Sequence, residues 1–523
     1  MPTPSTSSPS SASPRASWST SLRAIWDRRV AVMLALGFSS GLPYLLIFSS
    51  LSLWLVEAGV ERKAVTYFSW AALGYSFKFI WAPLVDRLPL PGLTRWLGRR
   101  RSYLLLAQAG VVCAIIGMAM TDPAQGQSSL TMMAVFAVML GFTGATQDIV
   151  IDAYRIEISP PEQQAILASA YTTGYRIGLI LAGAGALYWA ELWGSSSGAY
   201  SHSAWQSAYF VMAAAMSIGI FTTLLMREPQ HDGGPQRSND HARMVLVFVG
   251  GVAAFVAAFS YWSTLVDSSS FGPLLSLFAA TARLGTSLSA AFVTGWLLLK
   301  LGVADTAQTR ETWIVPIQDF FTRYGVRTAW LLLALIGLYR ISDIVLGAIS
   351  NIFYENLGFS KSEIAFAVKS FGVIVGIAGG FLGGILATRL GVMRSLFWGA
   401  LLSSLTNVAF IGLAMAGHNV PLMYGIVAAD NLAAGFASAA FVAFLSSLTN
   451  VSFTAVQYAI FSSLMTLLPK TLGGYSGGMV DTLGYPGFFL LTACLGIPVL
   501  VLVVLAGRHL GIAPQNASTP PGD

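Results

Sequence analysis

Long apolar segments separated by short polar loops run through most of the chain. An α-helix that crosses the hydrocarbon core of a bilayer needs about 20 apolar residues, and fourteen such segments can be delimited. They lie near 30–55, 64–85, 102–121, 129–153, 164–192, 204–226, 244–265, 272–301, 328–354, 363–387, 394–416, 420–447, 453–480 and 486–507. Longer polar stretches occupy 227–243 and 302–327. The pattern predicts an all-α polytopic membrane protein with about 14 transmembrane helices.

The composition agrees with this pattern. Of 523 residues, 55% are hydrophobic and 10% are charged, whereas charged residues form about 25% of a typical soluble domain. This excludes a cytosolic enzyme, a nucleic-acid-binding protein, a disordered protein and a secreted disulfide scaffold. Both cysteines lie in apolar segments, and the five histidines lack a zinc-site spacing. We therefore expect no disulfide, no metal and no cofactor.

The distribution of Lys and Arg predicts the orientation in the membrane. Of the 29 basic residues, we assign twenty to the side of the termini, three to the opposite side and six to the segments themselves. Cytoplasmic loops are enriched in Lys and Arg, so both termini are expected in the cytoplasm. This requires an even number of helices, which fourteen satisfies. The net charge of +6 is then a consequence of topology and does not indicate an acidic partner.

Two parts of the chain resemble each other. LWLVEAGVERKAVTYFSWAAL at 53–73 is similar to IFYENLGFSKSEIAFAVKSFG at 352–372, and QQAILASAY at 163–171 is similar to VQYAIFSSL at 456–464. The offsets of 299 and 293 residues indicate a parallel repeat of six helices. Two six-helix halves around a central cavity are the architecture of major facilitator transporters, although chance similarity between apolar segments is an alternative explanation.

The repeat predicts two six-helix halves with an extra helix pair between them. The predicted regions are a disordered cytoplasmic tail at 1–28, an N-terminal half at 29–227, a linker with two extra transmembrane helices at 228–327, a C-terminal half at 328–508 and a cytoplasmic tail at 509–523.

Charged residues inside apolar segments are candidates for function, because a charge at the bilayer centre costs at least about 2.5–3.5 kcal/mol. The densest group lies in GFTGATQDIVIDAYRIEISPPEQQ at 141–164. Asp148 and Asp152 share one helix face, and we predict that they couple transport to protons. Asp152 and Arg155 are also spaced to pair. In the alternative interpretation these charges form a salt-bridged gate on the cytoplasmic side, for which the predicted residues are Asp86, Arg87, Arg155 and Arg389.

Two lysines, Lys78 and Lys369, lie in apolar stretches of comparable helices in the two halves. Facing one cavity, they would bind an anionic substrate or alternate as partners of Asp148; the alternative is that they snorkel to the membrane surface. Arg340 and Asp343 are spaced to form an ion pair. Further candidates for gripping a sugar or peptide, each of which is alternatively a structural hydrogen-bonding group, are Gln147, Tyr175, Arg176, Asp430 and Asn431.

Several stretches together resemble the AmpG-type muropeptide permeases, which carry anhydro-muropeptides from cell-wall turnover into the Gram-negative cytoplasm. The similar stretches are GFSSGLPYLL at 37–46, FSWAALGYSFKFIWAPLVDR at 68–87, GRRRSYLLLAQ at 98–108, TQDIVIDAYR at 146–155, GYRIG at 174–178, PIQDFF at 316–321, LYRISD at 338–343 and DNLAAGFASAAFVAFLSSLTN at 430–450. The resemblance runs from about residue 29 to 507. It departs from the family in the position of the extra helix pair, which family members place after the twelfth helix, and in Asp430, where Glu is expected.

The resemblance implies a proton-driven symporter of the bacterial inner membrane, with Gln147 and Asp148 among its functional residues. Its expected partners are a small sugar-peptide, protons and the lipid bilayer, and it is expected to be a monomer that binds no nucleic acid. Related branches carry siderophores or acetyl-coenzyme A, so another polar-anion substrate is an alternative. A membrane-embedded enzyme or sensor is a different alternative, against which stands the absence of any Ser/His/Asp or kinase-like set of residues.

Overall fold

The computed structural model describes most of the chain. The described residues are 27–60, 68, 73–90, 92–160, 163–195, 199–229, 241–265, 273–347, 349–473 and 476–510. Nearly all of the two predicted tails lies outside them, as does the side chain of Lys369. Within these residues the regular structure is helical throughout, without strands. Eleven of the described helices are long and apolar enough to cross a membrane, which confirms an all-α multi-pass membrane protein and is compatible with fourteen helices.

The described residues of the N-terminal half form six helices, several of them interrupted. Helix α1 comprises Arg28–Leu45, a π-helical turn Leu46–Ser50 and Leu51–Glu57; α2 comprises Leu73–Phe77, a 3₁₀ turn Lys78–Ile80 and Ala82–Arg87; α3 is Arg99–Ala119; α4 is Gln127–Glu157; α5 is Gln164–Leu192, with a π-helical turn Leu181–Gly185; and α6 comprises His202–Ala215 and Ser217–Leu225. The 3₁₀ turn in α2 precedes Pro83, which has no N–H to donate to the carbonyl one turn earlier, so the helix changes its pitch there.

Three helices follow before the C-terminal half. They are α7, His241–Leu265; α8, Pro273–Lys300; and α9, comprising Thr306–Thr309, Arg310–Ile314 and Val315–Tyr324. Helices α7 and α8 pack against each other. Helix α9 lies in the stretch that the sequence pattern indicates as polar. Its apolar face includes Phe320, which is buried against Phe461, so this polar stretch is an amphipathic helix packed on the C-terminal half.

The C-terminal half again contains six helices. They are α10, Val326–Leu338, Ile341–Gly347 and Ser350–Asn356; α11, Lys361–Ile364, Ala365–Phe371 and Gly372–Leu390; α12, Val392–Ala416; α13, Val420–Leu448; α14, Thr454–Gly473; and α15, Ser476–Cys494 and Gly496–Leu510. Gly484, with φ of 67°, and Pro486 kink α15. The halves meet where α5 packs against α11 and α13, and where α2 and α4 pack against α14.

Glycines allow the helix backbones that frame the centre to touch. A Cβ atom at Gly174 of α5 would overlap the carbonyl oxygen of Leu34 in α1, and one at Gly37 would overlap the carbonyl of Tyr171. In the other half, a Cβ at Gly435 of α13 would overlap the carbonyl of Gly376 in α11. Such close approach replaces the hydrophobic effect as a source of helix association inside a membrane. It also fixes which side chains of α1 and α5 face each other.

We expect Gly174→Ala to destabilise the protein by about 1–3 kcal/mol, because the added methyl group forces α1 and α5 apart. The measurement is thermal unfolding of the purified protein in detergent. The matched control is Gly412→Ala on α12, where a Cβ would meet no atom within 4 Å. Equal unfolding temperatures for the two variants would contradict the close packing of α1 on α5.

Candidate functional site

A buried carboxylate lies where α1, α4 and α5 meet. Asp148 of α4 accepts a hydrogen bond from the hydroxyl of Ser40 in α1, and the Tyr171 hydroxyl of α5 lies 3.4 Å from the same oxygen. The Ser40 and Tyr171 hydroxyls are themselves 2.9 Å apart. Asp148 is only 9% exposed. We call Ser40, Asp148 and Tyr171 the Asp148 cluster; its hydrogen bonds come from hydroxyl groups.

The second carboxylate of this helix face has cationic partners instead. The ammonium of Lys78 in α2 lies 3.6 Å from Asp152, and the guanidinium of Arg155 lies 3.5 Å from its other oxygen. Lys78 is 6% exposed, so it is buried beside a carboxylate and does not snorkel to the membrane surface. Its charge also acts on Asp148, one helical turn away. The structure therefore brings Lys78, Asp148 and Asp152 into one electrostatic group.

This group lies well inside the membrane. Asp148 is nine residues from the end of α4 at Glu157, which is about 14 Å at 1.5 Å per residue. The hydrocarbon core is about 30 Å thick. Asp148 is thus far from both ends of this 31-residue helix, and Asp152 lies one turn closer to the end at Glu157.

Arg100 forms the centre of an ion-pair network at that face. Its guanidinium lies 2.7 Å from Asp86 at the end of α2 and 2.5 Å from Glu157 at the end of α4. It also donates to the Thr454 hydroxyl, 2.8 Å away, and Thr454 donates to Glu157 at 2.6 Å. Arg100 is 1% exposed. Because Thr454 begins α14, this Arg100 network joins three helices of the N-terminal half to the C-terminal half.

The backbone of α14 completes the contact. The other oxygen of Asp86 accepts hydrogen bonds from the N–H groups of Ala455 and Val456, at 3.0 and 3.2 Å. The first N–H groups of a helix have no partner within it and carry partial positive charge. Asp86 therefore satisfies two of these groups and neutralises Arg100 at the same time.

Arg155 makes a second link between the halves. Its guanidinium donates to the Ser446 hydroxyl of α13 at 2.9 Å and to Gln164 at 3.1 Å, and it lies 5.1 Å from the centre of the Tyr458 ring. The same side chain contacts Asp152. Through Arg155, the group around Asp148 and Asp152 is connected to α13 and α14 of the C-terminal half.

Helix α9 lies across the same face. Glu311 of α9 lies 3.2 Å from Arg87 in the N-terminal half. The Gln457 amide of α14 donates to Asp319 of α9 at 2.8 Å. Asp152 contacts Arg155, as their spacing predicts, Asp86 pairs with Arg100, and Arg87 binds Glu311 of α9. Arg389 lies in the last turn of α11.

The remaining predicted residues divide between the halves. Gln147 donates to Ser39 of α1 at 3.2 Å, and the Tyr175 ring lies 6.1 Å from that of Tyr171. Asn431 donates to the Val427 carbonyl of its own helix at 2.9 Å, which is a local structural bond. Asp430 accepts from Thr406 at 3.3 Å.

Two predicted arginines lie in the middle of the protein. Arg340 forms the expected ion pair with Asp343 at 3.1 Å. Arg176 reaches from α5 toward α11 and donates to the Val373 carbonyl at 3.4 Å.

Several residues of the site escaped the sequence analysis. Ser40, Ser446 and Thr454 are hydroxyl residues in apolar segments, and such residues usually bond to their own helix. Glu157 follows Asp152 and Arg155 closely in the sequence, and this position could have identified it as a candidate residue of the site. Across the described ranges, no three His, Cys, Asp or Glu residues are grouped closely enough to hold a metal ion.

We expect Arg100→Gln to lower the free energy of unfolding by about 3–5 kcal/mol, because it leaves Asp86 and Glu157 buried without their cation. The control is Arg87→Gln, whose partner Glu311 is 59% exposed; such a surface pair contributes at most about 1 kcal/mol. Thermal unfolding in detergent measures both changes. A loss for Arg100→Gln no larger than for Arg87→Gln would argue against the network as a buried link.

Comparison of the chain with known proteins identifies its family. Residues 64–313 match the family model of the Major Facilitator Superfamily. A putative transporter AmpG 4 of Rickettsia conorii is 32% identical over 489 residues, covering 93% of this chain and 98% of that protein. The anhydromuropeptide permease of Escherichia coli K12 is 29% identical over 490 residues, covering 94% and 82%.

Solved structures show the same fold. The proton:xylose symporter XylE, with bound 6-bromo-6-deoxy-D-glucose, aligns with a TM-score of 0.57 at 11% identity and covers 95% of this chain and 96% of its own. A bacterial homologue of the iron transporter ferroportin, in an outward-facing state, aligns with a TM-score of 0.56 at 11% identity, covering 92% and 100%. The chain belongs to the AmpG family of transporters, within the major facilitator superfamily.

Proposed function

We propose that this transporter imports anhydro-muropeptides across the bacterial inner membrane, driven by protons that bind Asp148. The relative from Escherichia coli named anhydromuropeptide permease supports the substrate. The observation that carries the mechanism is the difference between the two carboxylates of α4. Asp148 is held by hydroxyl groups, whereas Asp152 is held by Lys78 and Arg155.

This difference decides which carboxylate exchanges a proton. A hydroxyl group donates a hydrogen bond to a carboxylate and accepts one from a carboxylic acid, so Ser40 and Tyr171 serve Asp148 in either state. Ammonium and guanidinium groups only donate, so protonating Asp152 would lose both of its ion pairs. Asp148 is therefore the proton carrier, and Asp152 remains charged and orients the cations.

Lys78 and Arg155 transmit the protonation state to the contact between the halves. A proton on Asp148 removes the negative charge that attracts Lys78, which then remains with Asp152. When the proton leaves, Lys78 interacts with two carboxylates at once. The strength of the ion pair between Asp152 and Arg155 changes as a result. Because Arg155 also binds Ser446 of the C-terminal half, proton loss alters a bond that holds the halves together.

The conformation itself is a closed one. The pocket between the halves that is lined by residues of α5, α11 and α13 has a volume of about 10 Å³, room for about one water molecule and far less than the roughly 300–1,000 Å³ of sites for drug-sized ligands. A disaccharide-peptide needs the halves to separate. With both termini in the cytoplasm, the face sealed by the Arg100 network is the cytoplasmic one, and the solute enters from the other side.

We expect Asp148→Asn to abolish proton-driven accumulation of labelled anhydro-muropeptide in membrane vesicles, lowering it about tenfold or more to the level reached with an uncoupler. The amide is similar in size but cannot exchange a proton in this pH range. Asp122→Asn is the matched control, since Asp122 lies in the loop after α3 and accepts its bond from Tyr200. Accumulation by Asp148→Asn that still responds to the uncoupler would refute the assignment.

The substrate is tested separately in wild-type vesicles. We expect unlabelled anhydro-muropeptide to compete with the labelled compound, and a ferric siderophore or an acyl-coenzyme A not to compete. Failure of the vesicles to take up the muropeptide, together with uptake of one of the other two compounds, would replace the proposed substrate without affecting the role of Asp148.

A further inference from the structure

Arg176 is a cation at the junction of the halves. It lies on α5, and its guanidinium extends so close to α11 that a Cβ atom at Gly376 would overlap its Nη1. Its hydrogen bond to the Val373 carbonyl is 3.4 Å long, beyond the usual range for an N–H donor. Among the described residues, no carboxylate lies within 4 Å of this guanidinium to form an ion pair.

Arg340 approaches the same junction from the C-terminal half. It pairs with Asp343 at 3.1 Å and donates a hydrogen bond to Ser438 of α13. The charges of Arg176 and Arg340 act on each other. Two like charges are costly to hold close together where the dielectric constant is low. Asp343 offsets the charge of Arg340, whereas Arg176 has no carboxylate partner among the described residues.

Neither arginine lines the pocket between the halves, but each approaches a residue that does. Gly376, which Arg176 touches, and Ser438, to which Arg340 donates, line it from α11 and α13. Ser169, Thr172 and Thr173 line it from α5. The hydroxyl groups of Ser169, Thr173 and Ser438 already donate to backbone carbonyls. The donors that a carboxylate would accept are therefore those of the two flanking guanidinium groups.

We propose that a carboxylate of the transported solute binds between Arg176 and Arg340 and serves as the counter-ion that Arg176 lacks. This assignment rests on the proposed import function and adds the chemical group that is recognised. Because one arginine belongs to each half, the bound carboxylate links the halves. Guanidinium forks bind carboxylates through two parallel hydrogen bonds, so recognition depends on shape as well as charge.

The assignment is tested by uptake of anhydro-muropeptide with free carboxylates and with its peptide carboxylates amidated. In the wild type we expect amidation to raise KM about tenfold or more, since a charge-assisted hydrogen bond is lost. Arg176→Gln is expected to raise KM for the free acid by a similar factor and to leave KM for the amide unchanged. Arg176→Lys keeps the positive charge but lacks the paired N–H donors of a guanidinium group. Its KM for the free acid is expected to lie between those of the wild type and Arg176→Gln.

Arg394→Gln is the matched control, because Arg394 is an exposed residue of α12 and its variant should behave as wild type with both solutes. If Arg176→Gln raised KM equally for acid and amide, the arginine would be structural and the assignment would be overturned. The same comparison of KM for the acid and the amide, made with Arg340→Gln, tests whether the arginine of the C-terminal half also binds the carboxylate.

A binding measurement separates this site from the proposed substrate. Purified wild-type protein should be stabilised against heat by L-alanyl-D-glutamate and not by its diamide, and Arg176→Gln should lose the difference. No muropeptide uptake in the wild type, with carboxylate-dependent stabilisation intact, would remove the proposed substrate and keep the anion site. Equal stabilisation by acid and diamide, or none by either, would remove the anion site.

Discussion

The interior of a membrane protein offers little water, so a charge placed there depends on a partner supplied by the protein or by what it carries. Lys78 with Asp152 and Arg340 with Asp343 satisfy this requirement between neighbouring side chains. Asp148 satisfies it through hydroxyl groups, which suit both of its protonation states. Arg176 has no such carboxylate beside it among the described residues. The requirement for partners thus separates fixed ion pairs from Asp148 and Arg176, for which we propose a proton and a solute as partners.

The same requirement explains how the halves are joined. Arg100, Asp86 and Glu157 would form a complete ion-pair set within the N-terminal half, yet the set also accepts the first N–H groups and the Thr454 hydroxyl of α14. Arg155 does the same through Ser446. These bonds between the halves are therefore hydrogen bonds added to ion pairs that lie within the N-terminal half. Breaking them leaves no buried carboxylate without its cation, and the Arg87–Glu311 pair, which does cross between the N-terminal half and α9, has an exposed carboxylate.

Sequence reasoning was effective where the physics is local. Apolar length located the helices, and spacing of three residues along a helix anticipated the pairs of Arg155 with Asp152 and Arg340 with Asp343. It failed where partners come from distant helices. Lys78 was expected to bind the substrate or Asp148, whereas the carboxylate it pairs with is Asp152, because the offset of α2 against α4 determines which is nearer. The sequence did not predict the packing of α9 on the C-terminal half. The apolar face of a short amphipathic helix gives a much weaker hydrophobic pattern than a transmembrane segment.

The Arg100 network has an electrical consequence. With the neighbouring Arg99, which lies 4.0 Å from Glu157 and donates to the Asp86 carbonyl, the network holds two cations and two carboxylates. Glu228, which accepts from the N–H groups of Arg100 and Arg101, and the Arg101 side chain add one charge of each sign. One elementary charge moved through a potential of 100 mV changes its energy by about 2.3 kcal/mol. A neutral set that moves with its helices carries no net charge through that field. Under the proposed mechanism, opening and closing this face is therefore nearly independent of voltage, and the membrane potential acts on the proton and on the charge of the solute.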